Sequence, residues 1–168
     1  MLKTSIVGLA MCAGLMYSSP VRAQGAPDFV GKPAPQFARE DLSGRKVGLR
    51  QYRGKVVLLN FWATWCGPCR VELPKFEEWQ KKYGGDGLQV LAVSMDDADA
   101  PVRRAVRRMH LEFPVVMGNA KLGEAYGGVL GLPVTFLIDR DGKIVAKIKG
   151  EADLAVLELQ VKTLLAER

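Results

Sequence analysis

The sequence predicts an α/β domain with a central mixed β-sheet covered on both faces by helices. Three observations point to it. Residues 55–62 (KVVLLNFW) are continuously apolar and β-branched at the start, the pattern of a strand buried on both faces. Strand-like and helix-like segments alternate through the middle of the chain, which favours parallel pairing through crossover helices. Two apolar runs at 134–138 and 144–148 flank Asp139-Arg140-Asp141-Gly142, a hairpin signal, so the sheet also has antiparallel pairs.

In chain order, residues 24–35 are rich in Gly, Ala and Pro and read as a linker or N-terminal extension before a domain at 36–168. Short strands at 36–39 and 46–49 are joined at Ser43-Gly44. After the buried strand, Cys69, Leu73, Phe76 and Tyr83 recur at helical spacing until Gly84-Gly85 stops the helix. Pro74 inside it lacks a backbone donor and is expected to kink it. Residues 88–93 form a second buried strand. Asp97, Asp99 and Pro101 open a helix with Val102, Val106 and Met109 on its apolar face. A strand at 113–117 and a short helix at 119–126, ended by Gly127, precede the hairpin. Asp153 caps a last helix whose Leu154, Leu157, Val161 and Leu164 face inward.

Residues 1–23 stand apart. Lys3 precedes an uninterrupted small and apolar run at 6–17, Ser18, Ser19 and Pro20 break it, and Val21-Arg22-Ala23 supplies small residues around a cleavage site. That is the layout of a secretory signal peptide, and the run of 12 residues is shorter than the roughly 20 that cross a bilayer. A removed signal is expected, with an uncleaved anchor as the alternative. Cys12 follows Met11, not the small residue of a lipoprotein site, so it reads as a small hydrophobe that leaves with the signal. Without residues 1–23 the chain has 22 basic and 18 acidic residues, a net charge of +4. So mild an excess, without a dense basic stripe, gives no support for nucleic-acid binding.

What remains is a core-forming length with two cysteines, Cys66 and Cys69. A disulfide closing so short a loop constrains little of the unfolded chain, so in an oxidising compartment the pair reads as working chemistry. The pair lies where the buried strand ends and a helix begins. A helix N-terminus stabilises a thiolate through its partial positive charge and free amides. Cys66 at that mouth is placed to attack, and Cys69, one turn in and shielded, to resolve the mixed disulfide. Gly67 permits close backbone approach, and Pro68 suits a first helical turn. A structural zinc site would want four ligands, and the exported chain adds only His110 to the two thiols.

The stretch VVLLNFWATWCGPC resembles the active-site segment of thioredoxins. Gly31-Lys32-Pro33-Ala34-Pro35-Gln36-Phe37, Glu72-Leu73-Pro74 and Leu132-Pro133-Val134-Thr135-Phe136-Leu137-Ile138-Asp139 narrow the likeness to the TlpA/ResA-like redoxins, from about residue 31 to the C-terminus. This resemblance implies a thioredoxin-like fold with an N-terminal β extension and an extra central helix. It implies an exported or membrane-tethered thiol-disulfide oxidoreductase, often one serving cytochrome c maturation. By the same likeness Pro133 is a cis-proline whose loop, with Leu132, faces the cysteines and binds the substrate chain. Asn60 stands where thioredoxins proper carry a buried, proton-transferring aspartate, and an amide cannot titrate. The acid of the TlpA/ResA-like group is instead Glu72, about one helical turn beyond Cys69, where it could take the resolving thiol's proton. A solvated surface acid is the other reading of Glu72.

Trp65 reads as part of a partner-docking surface with Gly67 and Pro68; Trp62 fits the core equally well. Arg103, Arg104, Arg107 and Arg108 form a basic helix face, read as solvated. Met95 and Met109 read as core filling, and His110 is assigned no chemistry. The expected function is that of a periplasmic dithiol–disulfide reductase acting on protein disulfides, apocytochrome c or its maturation factors among them. The sequence carries no flavin or nicotinamide fingerprint and implies no cofactor, so a membrane electron donor is expected. Alternatives are a disulfide oxidase or isomerase, against which Gly-Pro between the cysteines leans, and a copper carrier using both thiolates. Peroxide reduction is disfavoured, because Trp65 stands where peroxiredoxins place a Thr.

Overall fold

The computed structural model describes residues 29–167; the signal-like segment and Cys12 lie outside the described residues. The elements are β1 (Ala38–Glu40), β2 (Lys46–Gly48), β3 (Val56–Trp62), α1 (Gly67–Tyr83), β4 (Leu88–Ser94), α2 (Asp99–Arg108), β5 (Val115–Met117), α3 (Ala120–Ala125), β6 (Val134–Ile138), β7 (Ile144–Lys149) and α4 (Leu154–Ala166). The main sheet runs β5-β4-β3-β6-β7, and β1 and β2 form a separate antiparallel pair. β3 pairs in parallel with β4 and antiparallel with β6, so the sheet is mixed. Every residue of β3 is buried, as its unbroken apolar run requires of a central strand.

Alternation along β3 divides the core in two. Val56, Leu58 and Trp62 face one cluster with side chains from α1, α2 and α4. Val57, Leu59 and Phe61 face another, with the N-terminal segment, α3 and the rings of Tyr126 and Phe136. Residues 29–35, the end of the expected linker or extension, run along the start of β7. The Gly31 amide donates to the Ile144 carbonyl at 2.8 Å, and Ala34 to Gly142 at 2.9 Å. Phe29 packs edge-on against Phe136.

Several boundaries differ from the sequence reading. Residues 49–52 leave the expected strand for a 3₁₀ helix, because Leu49 and Tyr52, three apart, both turn inward. β5 starts at Val115 because Pro114 has no amide to give the ladder. β1 starts at Ala38, two residues later than expected. α1 continues through Pro74 without a break. Asp153 caps α4 as expected, its Oδ1 accepting from the amides of Ala155 and Val156.

The parallel strands deliver their C-terminal ends to one edge. Trp62 lies opposite Ser94, and Ser94 opposite Met117. Phe61 lies opposite Val134, so the segment before β6 reaches the same edge. Gly118 completes it: a Cβ there would stand 2.6 Å from the Met95 sulfur and 2.8 Å from the Ser94 carbonyl oxygen.

Candidate redox-active site

β3 ends at Trp62, and its chain turns directly into α1. Cys66 is the N-cap of α1, with extended backbone at φ −82° and ψ 110°, and its Sγ accepts from the Cys69 amide at 3.3 Å. Pro68 occupies the first turn, where no donor is needed. Cys66 and Cys69 are joined in a disulfide, with their Cα atoms 5.4 Å apart. Cys66 keeps 5% exposure and Cys69 none. The outer sulfur therefore sits at the positive end of α1, and the inner one within the core cluster that also holds Trp62, Leu73 and Phe76. Trp65 is 71% exposed beside it, and Gly67 and Pro68 are also exposed. Trp62 is wholly buried, which settles its place in the core.

Leu132 packs against the same cluster, and the Leu132–Pro133 peptide bond is cis. The Pro133 carbonyl accepts from the Gly150 amide at 2.8 Å, which ties this segment to the end of β7. Asn60 lies on the α1 side of β3 and donates to the Thr135 hydroxyl at 2.9 Å.

Glu72 is 1% exposed, so the solvated reading of it does not hold. Its position, one helical turn past Cys69, lies on the inner face of α1. One oxygen, Oε1, accepts from the Ala152 amide at 2.7 Å; Oε2 has no hydrogen-bond partner among the described residues. Burial pushes the Glu72 carboxyl above its ordinary range, the Ala152 hydrogen bond opposes this, and the charge of Glu151 adds to it. Asn60 Oδ1 is a second buried acceptor without a partner among the described residues.

Arg103, Arg104, Arg107 and Arg108 are exposed on α2, as is His110 just beyond it. Met95 and Met109 are half-buried and pack against the two core clusters. No three His, Cys, Asp or Glu side chains cluster as a metal site among the described residues. No helix among them is long and apolar enough to cross a membrane.

The arrangement of one sulfur at a helix mouth and a shielded partner one turn in is that of a dithiol exchange centre. The sequence profile of the AhpC/TSA family matches residues 30–147. The chain belongs to the AhpC/TSA family. Within reach of this AhpC/TSA chain stands the thiol-disulfide oxidoreductase ResA of Bacillus thuringiensis subsp. konkukian, 42% identical over 134 residues, 79% of this chain and 77% of that one. ResA of Bacillus subtilis is 34% identical over 151 residues, 89% and 84% of the two chains. Among solved structures, a thioredoxin-family thiol:disulfide interchange protein from Chlorobium tepidum superposes with a TM-score of 0.74 at 29% identity, covering 80% of this chain and 96% of that one. The thioredoxin domain of a thiol-disulfide oxidoreductase from Bacteroides vulgatus gives 0.70 at 29% identity, covering 79% and 97%. This AhpC/TSA-family chain is therefore a thiol-disulfide oxidoreductase with a thioredoxin-like fold.

Sequence reasoning missed two features of the site. Ala152, just before α4, supplies the amide that holds Glu72. Asp96, just past β4, holds Thr64 two residues before Cys66. Neither contact joins residues close in sequence, so no local pattern announces them.

Proposed function

We propose that this oxidoreductase is an exported dithiol–disulfide reductase of periplasmic proteins, with residues 1–23 as its removed signal and cytochrome c maturation as its setting. The observation that carries the reading is Cys66 at the N-cap of α1, its sulfur accepting from the Cys69 amide. In the reduced protein the Cys66 thiolate attacks a partner's disulfide, forming a mixed disulfide and releasing one partner thiolate. Cys69 then gives its proton to the Glu72 carboxylate and attacks Cys66 Sγ. This closes the Cys66–Cys69 disulfide and releases the second partner thiolate, so two electrons pass to the partner. Trp65, Gly67, Pro68, Leu132 and Pro133 form the surface that seats the partner chain around the sulfurs.

Glu72 suits the proton step because its raised carboxyl holds a proton more readily than an exposed acid. The spent disulfide must be reduced again, and a membrane electron donor supplies that pair of electrons. The deciding experiment is the reduction potential of the Cys66–Cys69 couple in a thiol redox buffer. A potential near −270 mV or lower, as in thioredoxin, supports the reductase; one near −120 mV, as in the strong oxidant DsbA, assigns oxidative folding instead. The intact mass of the exported protein tests the signal: loss of residues 1–23 supports it, and retention makes the segment an anchor.

A further inference from the structure

Asp96 stands two residues beyond β4 and pairs with no cation among the described residues. Its carboxylate is instead taken up by the loop that leads to Cys66. Oδ2 accepts from the Thr64 amide at 2.9 Å and from the Ser94 hydroxyl at 2.8 Å, and Oδ1 accepts from the Thr64 hydroxyl at 2.6 Å. The Asp96 amide donates back to Ser94 Oγ at 3.2 Å. Both donors of Thr64 are thus held by one carboxylate.

Thr64 lies within a tight turn. The Cys66 amide donates to the Ala63 carbonyl at 3.1 Å, which leaves Thr64 and Trp65 at the two central positions. Next to it, the Met95 amide donates to the Trp62 carbonyl at 2.8 Å. The turn that presents the exposed Trp65 and the attacking sulfur is therefore pinned to the end of β4. Its grip is a pair of charge-assisted hydrogen bonds at a half-buried group, stronger than neutral ones would be.

The geometry points to Asp96 as a positioning residue for partner docking, acting through Thr64 to hold Trp65 and Cys66 in the orientation a protein disulfide meets. It rests on the reading above that Trp65 lies on the docking surface. The hydrogen bond from the Cys69 amide to Cys66 Sγ does not involve Asp96, so the thiolate keeps its helix-end environment when the clamp is lost. A small disulfide needs only that sulfur. A folded partner must also seat against the turn, and it loses the benefit of a preset geometry.

The test compares second-order rates for reduction of insulin and of hydroxyethyl disulfide by the reduced protein and its Asp96→Asn, Thr64→Val and Thr64→Ser variants. Asp96→Asn and Thr64→Val each slow insulin reduction about tenfold, the worth of a charge-assisted hydrogen bond, while hydroxyethyl disulfide stays within about twofold. Thr64→Ser, which keeps both donors, stays near the unaltered protein. The double variant Asp96→Asn/Thr64→Val is no slower than its slower parent, because both changes remove one contact. Thr64→Val carries the test if Asp96→Asn does not fold. Insulin and hydroxyethyl disulfide rates that fall in step, or that do not fall, would overturn the proposal. An unaltered protein inert towards both disulfides would instead overturn the redox reading itself.

Discussion

Asp41 and Glu72 are both carboxylates withdrawn from solvent, at 7% and 1% exposure, yet their surroundings push them in opposite directions. Asp41, in the turn between β1 and β2, accepts from the Ser43 amide and hydroxyl and the Arg45 amide on one oxygen, and from the Arg45 guanidinium on the other. Burial pushes its pKa up, but these hydrogen bonds outweigh burial and hold it below the ordinary range. Glu72 accepts one hydrogen bond and leaves an oxygen without a partner among the described residues, so burial prevails and its pKa rises. Glu77 is a third buried carboxylate. Its Oε2 accepts from the amides of Glu112 and Phe113, and its Oε1 pairs with Lys81 at 3.4 Å. Asp41 thus has donors on both oxygens, whereas Glu72 has one on Oε1 alone among the described residues.

The comparison breaks most visibly in exchange kinetics. Glu72→Gln should slow resolution of the mixed disulfide by about 100-fold near neutral pH, the lower end of what a general base contributes. The carboxylate is the base form, so the unaltered rate should fall as pH drops through the raised pKa of Glu72. Stopped-flow rates across pH check this, and a profile that Glu72→Gln leaves unchanged would remove Glu72 from the chemistry.

Asp41→Asn should act on stability alone. It should cost about 2 kcal/mol in urea denaturation at neutral pH and leave exchange rates within about twofold. The folded pKa of Asp41 is depressed. Its contribution is therefore full above the unfolded value of 3.8 and is lost as pH falls through the lower folded pKa. A slowed exchange in Asp41→Asn would erase the distinction between the two acids.

The smallest effect has the opposite sign. Because the folded pKa of Glu72 is raised, the native state binds more protons than the unfolded chain in the window above 4.5, and stability falls as pH rises through it. Glu72→Gln should thus raise Tm at pH 7 by about 3 °C, and the gain should vanish below that window. Calorimetry at both ends of the window measures it.

Much of this was legible beforehand, for local reasons. The apolar run of β3, the cap at Asp153 and the cysteines at a strand-to-helix junction are patterns of neighbouring residues, and each stands where the sequence places it. Glu72 was ambiguous because its spacing from Cys69 puts it on the right face of α1 but says nothing of what covers that face. The covering comes from Ala152, 80 residues away. Asp96 sits in a run of acids that reads as the approach to a helix, and its partner Thr64 is 32 residues earlier. The turn into a 3₁₀ helix at Leu49 was hidden because a strand and a short helix can both bury Leu49; only Tyr52 turning inward decides between them.

The central claim is that Cys66 attacks the partner and Cys69 resolves it. Mass spectrometry of disulfide-linked adducts formed by Cys69→Ser and Cys66→Ser tests it most directly. Protein adducts on Cys66 in Cys69→Ser, with none in Cys66→Ser, are the predicted result; adducts carried by Cys69, or none in Cys69→Ser, would contradict it.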